Sequence, residues 1–187
     1  YHGVNLTVNK RFNDRWQLNG ALTIQTNRDY QPTGSFANPT GVEFVEGTNE
    51  VPRYLFKLNG SYQLGWGITA SGNLNWNDGD TRTRTITGPG QVFGGVGQSN
   101  ITYNTLNYQP RDTERFDSTA LLDAGVQKVF SFAGGRYRIK AMVDGFNLLN
   151  ISTIQGYTSG NASLATSSQV NEVVPPRVFR FGAQFSF

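Results

Sequence analysis

Few residues of this chain could do covalent chemistry. His2 is the one histidine, and nothing pairs it with a serine, so a Ser–His nucleophile cannot be read. There is no cysteine, which removes disulfides and thiolate metal sites. Asn77-Asp78-Gly79-Asp80 offers oxygen ligands to calcium. It lacks the spacing and the distal Glu of the EF-hand loop, so an Asp-Gly turn is the simpler reading. No Gly-Lys-Ser/Thr follows Gly94 to Gly97, so that run is no phosphate loop. The Asn-X-Ser/Thr triplets at Asn100 and Asn161 read as chance. The expectation is a protein that is not an enzyme and carries no cofactor. What remains is binding chemistry. Lys57, Asp123, Arg138, Lys140, Asp144 and Arg180 are charges within extended runs, which pair with one another or simply balance charge. Tyr30, Arg82, Arg84, Tyr103, Tyr108 and Tyr157 lie in loops, where recognition is usually carried, although a solvated loop is the plainer reading of each singly.

Seven stretches must position these residues, and each alternates apolar with polar. Gly3 to Lys10, Trp16 to Thr26, Arg53 to Leu64, Ile68 to Trp76, Phe116 to Phe130, Tyr137 to Phe146 and Val178 to Phe187 have period two, the mark of a strand with two unlike faces. The last is the clearest: Phe179, Phe181, Ala183, Phe185 and Phe187 oppose Val178, Arg180, Gly182, Gln184 and Ser186. Asn13-Asp14-Arg15, Gly65-Trp66-Gly67 and Ala133-Gly134-Gly135 make short turns. Residues 27–51, 77–115 and 148–174 make long loops. The connections therefore alternate short and long.

Composition fits a sheet with one wet face. Hydrophobic residues are 37% and charged residues 16%, both below soluble averages, and mean hydropathy is -0.42. No apolar run reaches about 18 residues, which excludes a membrane helix but not membrane strands of about 9–11 residues. A net charge of +3 without a basic cluster argues against nucleic acid. Mid-strand charges keep to the polar parity, and Lys10 and Lys128 on the apolar parity sit at strand ends, within snorkelling reach of an interface. Trp16, Tyr62, Trp66, Phe130, Phe132, Tyr137 and Phe187 are expected near the short turns. Tyr54, Phe56, Trp76, Phe116, Phe146 and Phe179 are expected near the long loops, so that two aromatic bands enclose aliphatic residues. The expected fold is all-β: about seven strands of an antiparallel transmembrane barrel with short periplasmic turns and long extracellular loops. An odd number of antiparallel strands cannot close uniformly, so residues 1–187 are expected to be the C-terminal part of a larger barrel, with plug and earlier strands outside them.

At the C-terminus, Arg180-Phe181-Gly182-Ala183-Gln184-Phe185-Ser186-Phe187 resembles the β-signal read by the barrel assembly machinery, on Arg180, Gly182, Phe185 and Phe187. FNLLN (146–150) and PPRVFRFGAQFSF (175–187) resemble the end of TonB-dependent receptors, particularly the Oar-like group. VNKRFNDRWQLNGALT (8–23), PRYLFKLNGSYQLGWGITASGNL (52–74) and LLDAGVQKVF (121–130) are similar to that family's hairpins. The resemblance implies a bacterial outer-membrane barrel of about twenty-two strands, energised by the TonB complex through an N-terminal part, that takes up a scarce or large solute. It implies the lumen for the six mid-strand charges, and outer-membrane lipid as a partner. A passive porin-type or adhesion barrel and a soluble β-sandwich binding module are the alternatives.

Overall fold

The computed structural model describes residues 1–30, 47–88, 104–107, 109 and 111–187. Seven long strands form one antiparallel sheet: β1 (His2–Asn13), β2 (Trp16–Thr26), β3 (Tyr54–Gly65), β4 (Ile68–Asn77), β5 (Thr119–Phe132), β6 (Tyr137–Phe146) and β7 (Val178–Ser186). Their order in the sheet is their order in the chain, an up-and-down meander. The sheet is open, with β1 and β7 as its two edges.

The alternation sets the register. Leu6 lies beside Leu22, Leu22 beside Phe56, Phe56 beside Trp76 and Trp76 beside Ala120. Further along, Val126 neighbours Val143, and Val143 neighbours Phe181. One face is thus apolar from the first strand to the last, because a slip of one residue would invert a whole strand. That face is uncovered: Leu6 is 59% exposed and Phe181 76%. Val174 is the one buried apolar side chain among the described residues, and it lies outside the sheet. No second layer packs on either face among the described residues.

The strands are between 9 and 14 residues long. Short turns all fall at one end. Asp14 (φ 50°) and Arg15 (φ 75°) join β1 to β2, and Trp66 (φ 48°) and Gly67 (φ 73°) join β3 to β4. Two successive positive φ values match the twist of a hairpin. Glycine is needed at 67, where a Cβ would come within 2.6 Å of the Val129 carbonyl oxygen. A single 3-10 turn, Ala133–Gly135, joins β5 to β6. The long connections all leave the other end.

Three sequence expectations shift. The fifth strand starts at Thr119, not Phe116, and the third at Tyr54, not Arg53. Phe116 therefore belongs to a loop, stacked on Tyr157 at 5.7 Å. Phe146 pairs with Val178 on the polar face, beneath the Arg180 guanidinium, and is not part of an apolar-face band. The other ring positions follow the expectation: Trp16 pairs with Tyr62, Phe132 with Tyr137, and Tyr54 packs on Trp76 at 5.1 Å.

Candidate functional site

The polar face of the sheet carries all six mid-strand charges. Asp144 Oδ2 accepts from Arg180 Nε at 3.1 Å and Nη2 at 2.9 Å. Asp123 Oδ1 accepts the Asn147 backbone N–H at 2.9 Å. Lys57 lies between Ala21 and Asn75, Arg138 between Ser131 and Ser186, and Lys140 between Val129 and Gln184. The structure thus joins one pair of the six directly. A row of amides that the sequence reading did not single out crosses the same face: Asn9, Asn19, Asn59 and Asn73 are successive neighbours and end on Asp123. Asn19 Nδ2 donates to Asn59 Oδ1 at 3.1 Å. A groove of about 420 Å³ runs over Asn59, Asn73, Asp123, Asp144 and Arg180.

On the apolar face, the two lysines reach toward the short-turn end. Lys10 Nζ donates to the Asn13 carbonyl at 3.0 Å and lies 4.0 Å from the Trp16 ring. Lys128 Nζ lies 5.0 Å from the Phe130 ring. Among the candidate assembly residues, Arg180 is on the polar face and Gly182 pairs with Met142. Phe185 stacks between Tyr137 (6.2 Å) and Phe187 (5.9 Å), and Phe187 is 93% exposed.

At the long-loop end, short ribbons make a crown: Arg28–Asp29 with Thr48–Asn49, Thr81–Arg82 with Glu114–Arg115, Thr85–Gly88 with Asn104–Asn107, and Ile154–Tyr157 with Val170–Val173. They are cross-linked. Asp78, buried, accepts from Arg53 Nε at 2.6 Å and Nη2 at 3.0 Å, and from the Arg53 backbone N–H at 3.1 Å. These hydrogen bonds hold the Asp78 carboxyl below its ordinary range, against the opposing effect of its burial. Arg115 reaches Asp78 at 3.5 Å and donates to the Gly79 and Asn49 carbonyls. Asp112 accepts the Asn49 N–H at 2.8 Å, and Arg111 pairs with Glu50 at 2.9 Å. The first and second loops are therefore tied. The second and third are tied by backbone bonds, Thr85 N–H to Gly160 O at 3.0 Å and Ala162 N–H to Thr85 O at 2.7 Å.

Of the loop candidates, Arg82, Arg84 and Tyr157 come together. The Arg82 guanidinium lies 3.8 Å from the Tyr157 ring centre, and Arg84 Nε lies 2.8 Å from Glu114. Tyr30 stands apart, 48% exposed. Tyr103 and Tyr108 lie outside the described residues. The expected Asp-Gly turn is not formed: residues 78–80 link β4 to the Thr81–Arg82 ribbon strand without a turn, and the Asp78 carboxylate is taken by arginine. No group of three or more His, Cys, Asp or Glu among the described residues could hold a metal ion.

Sequence reasoning missed Asn147. It is buried, with φ 48°. Its Nδ2 donates to the Ile151 carbonyl at 2.9 Å and the Pro175 carbonyl at 2.7 Å, and its Oδ1 accepts the Ile151 N–H at 3.1 Å. One side chain thus fixes where the chain leaves β6 and where it returns toward β7. Asn is among the few residues that tolerate positive φ, and that was the available signal. Comparison with protein-family models and with curated proteins gives no match to this chain.

Proposed function

We propose that the chain is the C-terminal wall and mouth of a bacterial outer-membrane barrel of the TonB-dependent receptor type, for uptake of a scarce or large solute. The observation that carries this reading is the apolar face, continuous and uncovered across seven strands. Monomeric soluble proteins rarely leave more than a few hundred Å² of contiguous apolar surface in water. Lipid is the solvent that suits such a face, and a water-filled lumen suits the amides and charges behind it. The sorting of short turns and long loops to opposite ends supports the same orientation, with the crown outside the cell. The soluble sandwich reading needs a second sheet over the apolar face, and the described residues supply none. The specific receptor type rests on the resemblance of residues 146–150 and 175–187 to that family.

Single cysteines at Leu58, Leu122 and Ile139, against Asn59, Asp123 and Lys140, test the membrane reading with a lipid-embedded quencher. The first set is expected to be quenched and the second spared. Quenching of the second set alone would reverse the faces, and quenching of neither would remove the membrane. The transport reading is tested by uptake into cells with and without TonB; accumulation that survives loss of TonB would favour a passive barrel.

A further inference from the structure

The two ends of the sheet treat charge differently. In the crown, arginines are spent on carboxylates: Arg53 and Arg115 on Asp78, Arg111 on Glu50, Arg82 and Arg84 on Glu114. At the short turns, Lys10, Arg11, Arg15, Lys128 and Arg136 stand against one acidic side chain, Asp14. None of these cations is salt-bridged among the described residues. Three of them lie over aromatic rings. Lys10 is 4.0 Å from the Trp16 ring centre, Lys128 5.0 Å from Phe130 and Arg136 5.6 Å from Tyr137. Trp16 pairs with Tyr62, Phe130 with Ile139 and Tyr137 with Phe132, so all three rings belong to the apolar face. Between the two basic turns, the turn from β3 to β4 carries no charge and holds Trp66, 90% exposed. Tryptophan favours the headgroup level of a membrane. The rim is therefore a line of rings with unpaired positive charge along its outer edge.

We propose that the short-turn rim of the apolar face binds the headgroup phosphate of an anionic phospholipid, with Lys128 and Arg136 as donors and Lys10 as a second point of attachment. Ammonium and guanidinium groups have donors and no acceptor, and phosphate oxygens only accept. Each cation borders a ring of the uncovered apolar face, so its partner must present an anion and hydrocarbon side by side. A phospholipid does this and a soluble anion does not. The aliphatic stem of a lysine lies along apolar surface while its head reaches the phosphate level. A zwitterionic headgroup brings its own cation to the same place, so a net negative lipid is preferred. The inference rests on the barrel reading, and it names the lipid class that the barrel's short-turn rim selects.

A fluorophore on Ile139→Cys reports on this rim, because Ile139 pairs with Phe130, the ring beside Lys128. The full-length protein is reconstituted at low ionic strength in phosphatidylcholine vesicles. These hold either brominated phosphatidylglycerol or brominated phosphatidylcholine at the same fraction, and bromine quenches the fluorophore on contact. Binding of phosphatidylglycerol is expected to exceed that of phosphatidylcholine by about fivefold for each cation engaged. The preference is expected to shrink as salt is added. Lys128→Gln with Arg136→Gln is expected to bring the ratio to about one, whereas Lys128→Arg with Arg136→Lys keeps both charges and the preference. Circular dichroism of each variant checks that the sheet is intact. Equal quenching by the two lipids, or a preference that survives in the double glutamine variant, would overturn this inference and leave the barrel standing. Quenching by neither lipid would remove the barrel reading and this inference with it.

Discussion

Asp78→Asn keeps the shape of a buried side chain and removes the charge that three donors and two arginines surround. Arg53 is 59% exposed, so solvent screens part of the loss. The expected cost is about 1–3 kcal/mol, read as earlier loosening of the crown in hydrogen exchange. The pH dependence has a definite sign. A carboxyl whose pKa is lowered by folding contributes stability above its unfolded value, near 4, and loses it as pH falls through the lower folded value. The wild-type crown is therefore expected to be insensitive to pH from 7 to 5 and to loosen only below about 4. The next residue tests geometry instead of charge. A Cβ on Gly79 would lie 1.8 Å from the Phe116 carbonyl oxygen, so Gly79→Ala must push apart the two arms of the second loop where they leave β4 and enter β5. Limited proteolysis within residues 78–118 is expected to accelerate, with the short-turn end unaffected. Asn147→Ala removes three hydrogen bonds at a positive-φ position, and about 2–4 kcal/mol is expected from denaturant unfolding. Asn147→Gly would ease the backbone and still lose the bonds.

Among the elements, the strands were legible and the ties between loops were not. Trp16 to Thr26 and Tyr137 to Phe146 were read with the bounds they have, because alternation of Leu, Ile, Val and Ala against Asn, Thr, Arg and Lys has one structural meaning when it runs for nine residues or more. Phe116 falls on the apolar parity of β5 and so reads as its first residue, but Ser118 interrupts that parity, and the ring is held in the loop by Tyr157. Phe146 differs: its place on the polar face follows from the parity of Val143 and Asp144, and its aromatic nature alone suggested a band. The crown joins residues as far apart as Asn49 and Asp112, or Thr85 and Gly160, and such contacts leave no period in a sequence. The strand reading has its own test. Val126→Lys, in the middle of β5 on the apolar face, is expected to cost about 2–4 kcal/mol in lipid vesicles, while Asn73→Lys on the polar face of β4 costs little. A reversed ranking would place lipid on the other face.

For the whole molecule, the decisive feature is the parity of the sheet. Seven antiparallel strands leave β1 and β7 running the same way, so these two edges cannot join by the pairing used everywhere else in the sheet. Each edge offers a row of backbone N–H and C=O groups, and in hydrocarbon every unpaired one costs several kcal/mol. A membrane sheet with such edges is therefore tenable only when other strands pair with them. Amide hydrogen exchange of the full-length protein in lipid reads this directly. In a closed barrel, the outward-facing amides of β1 and β7 are expected to exchange as slowly as those of β4, which has strands on both sides. If they exchange orders of magnitude faster while β3, β4 and β5 stay protected, the sheet ends at its seventh strand. The uncovered apolar face would then have to meet a protein surface, and the crown would lose its place at the mouth of a lumen.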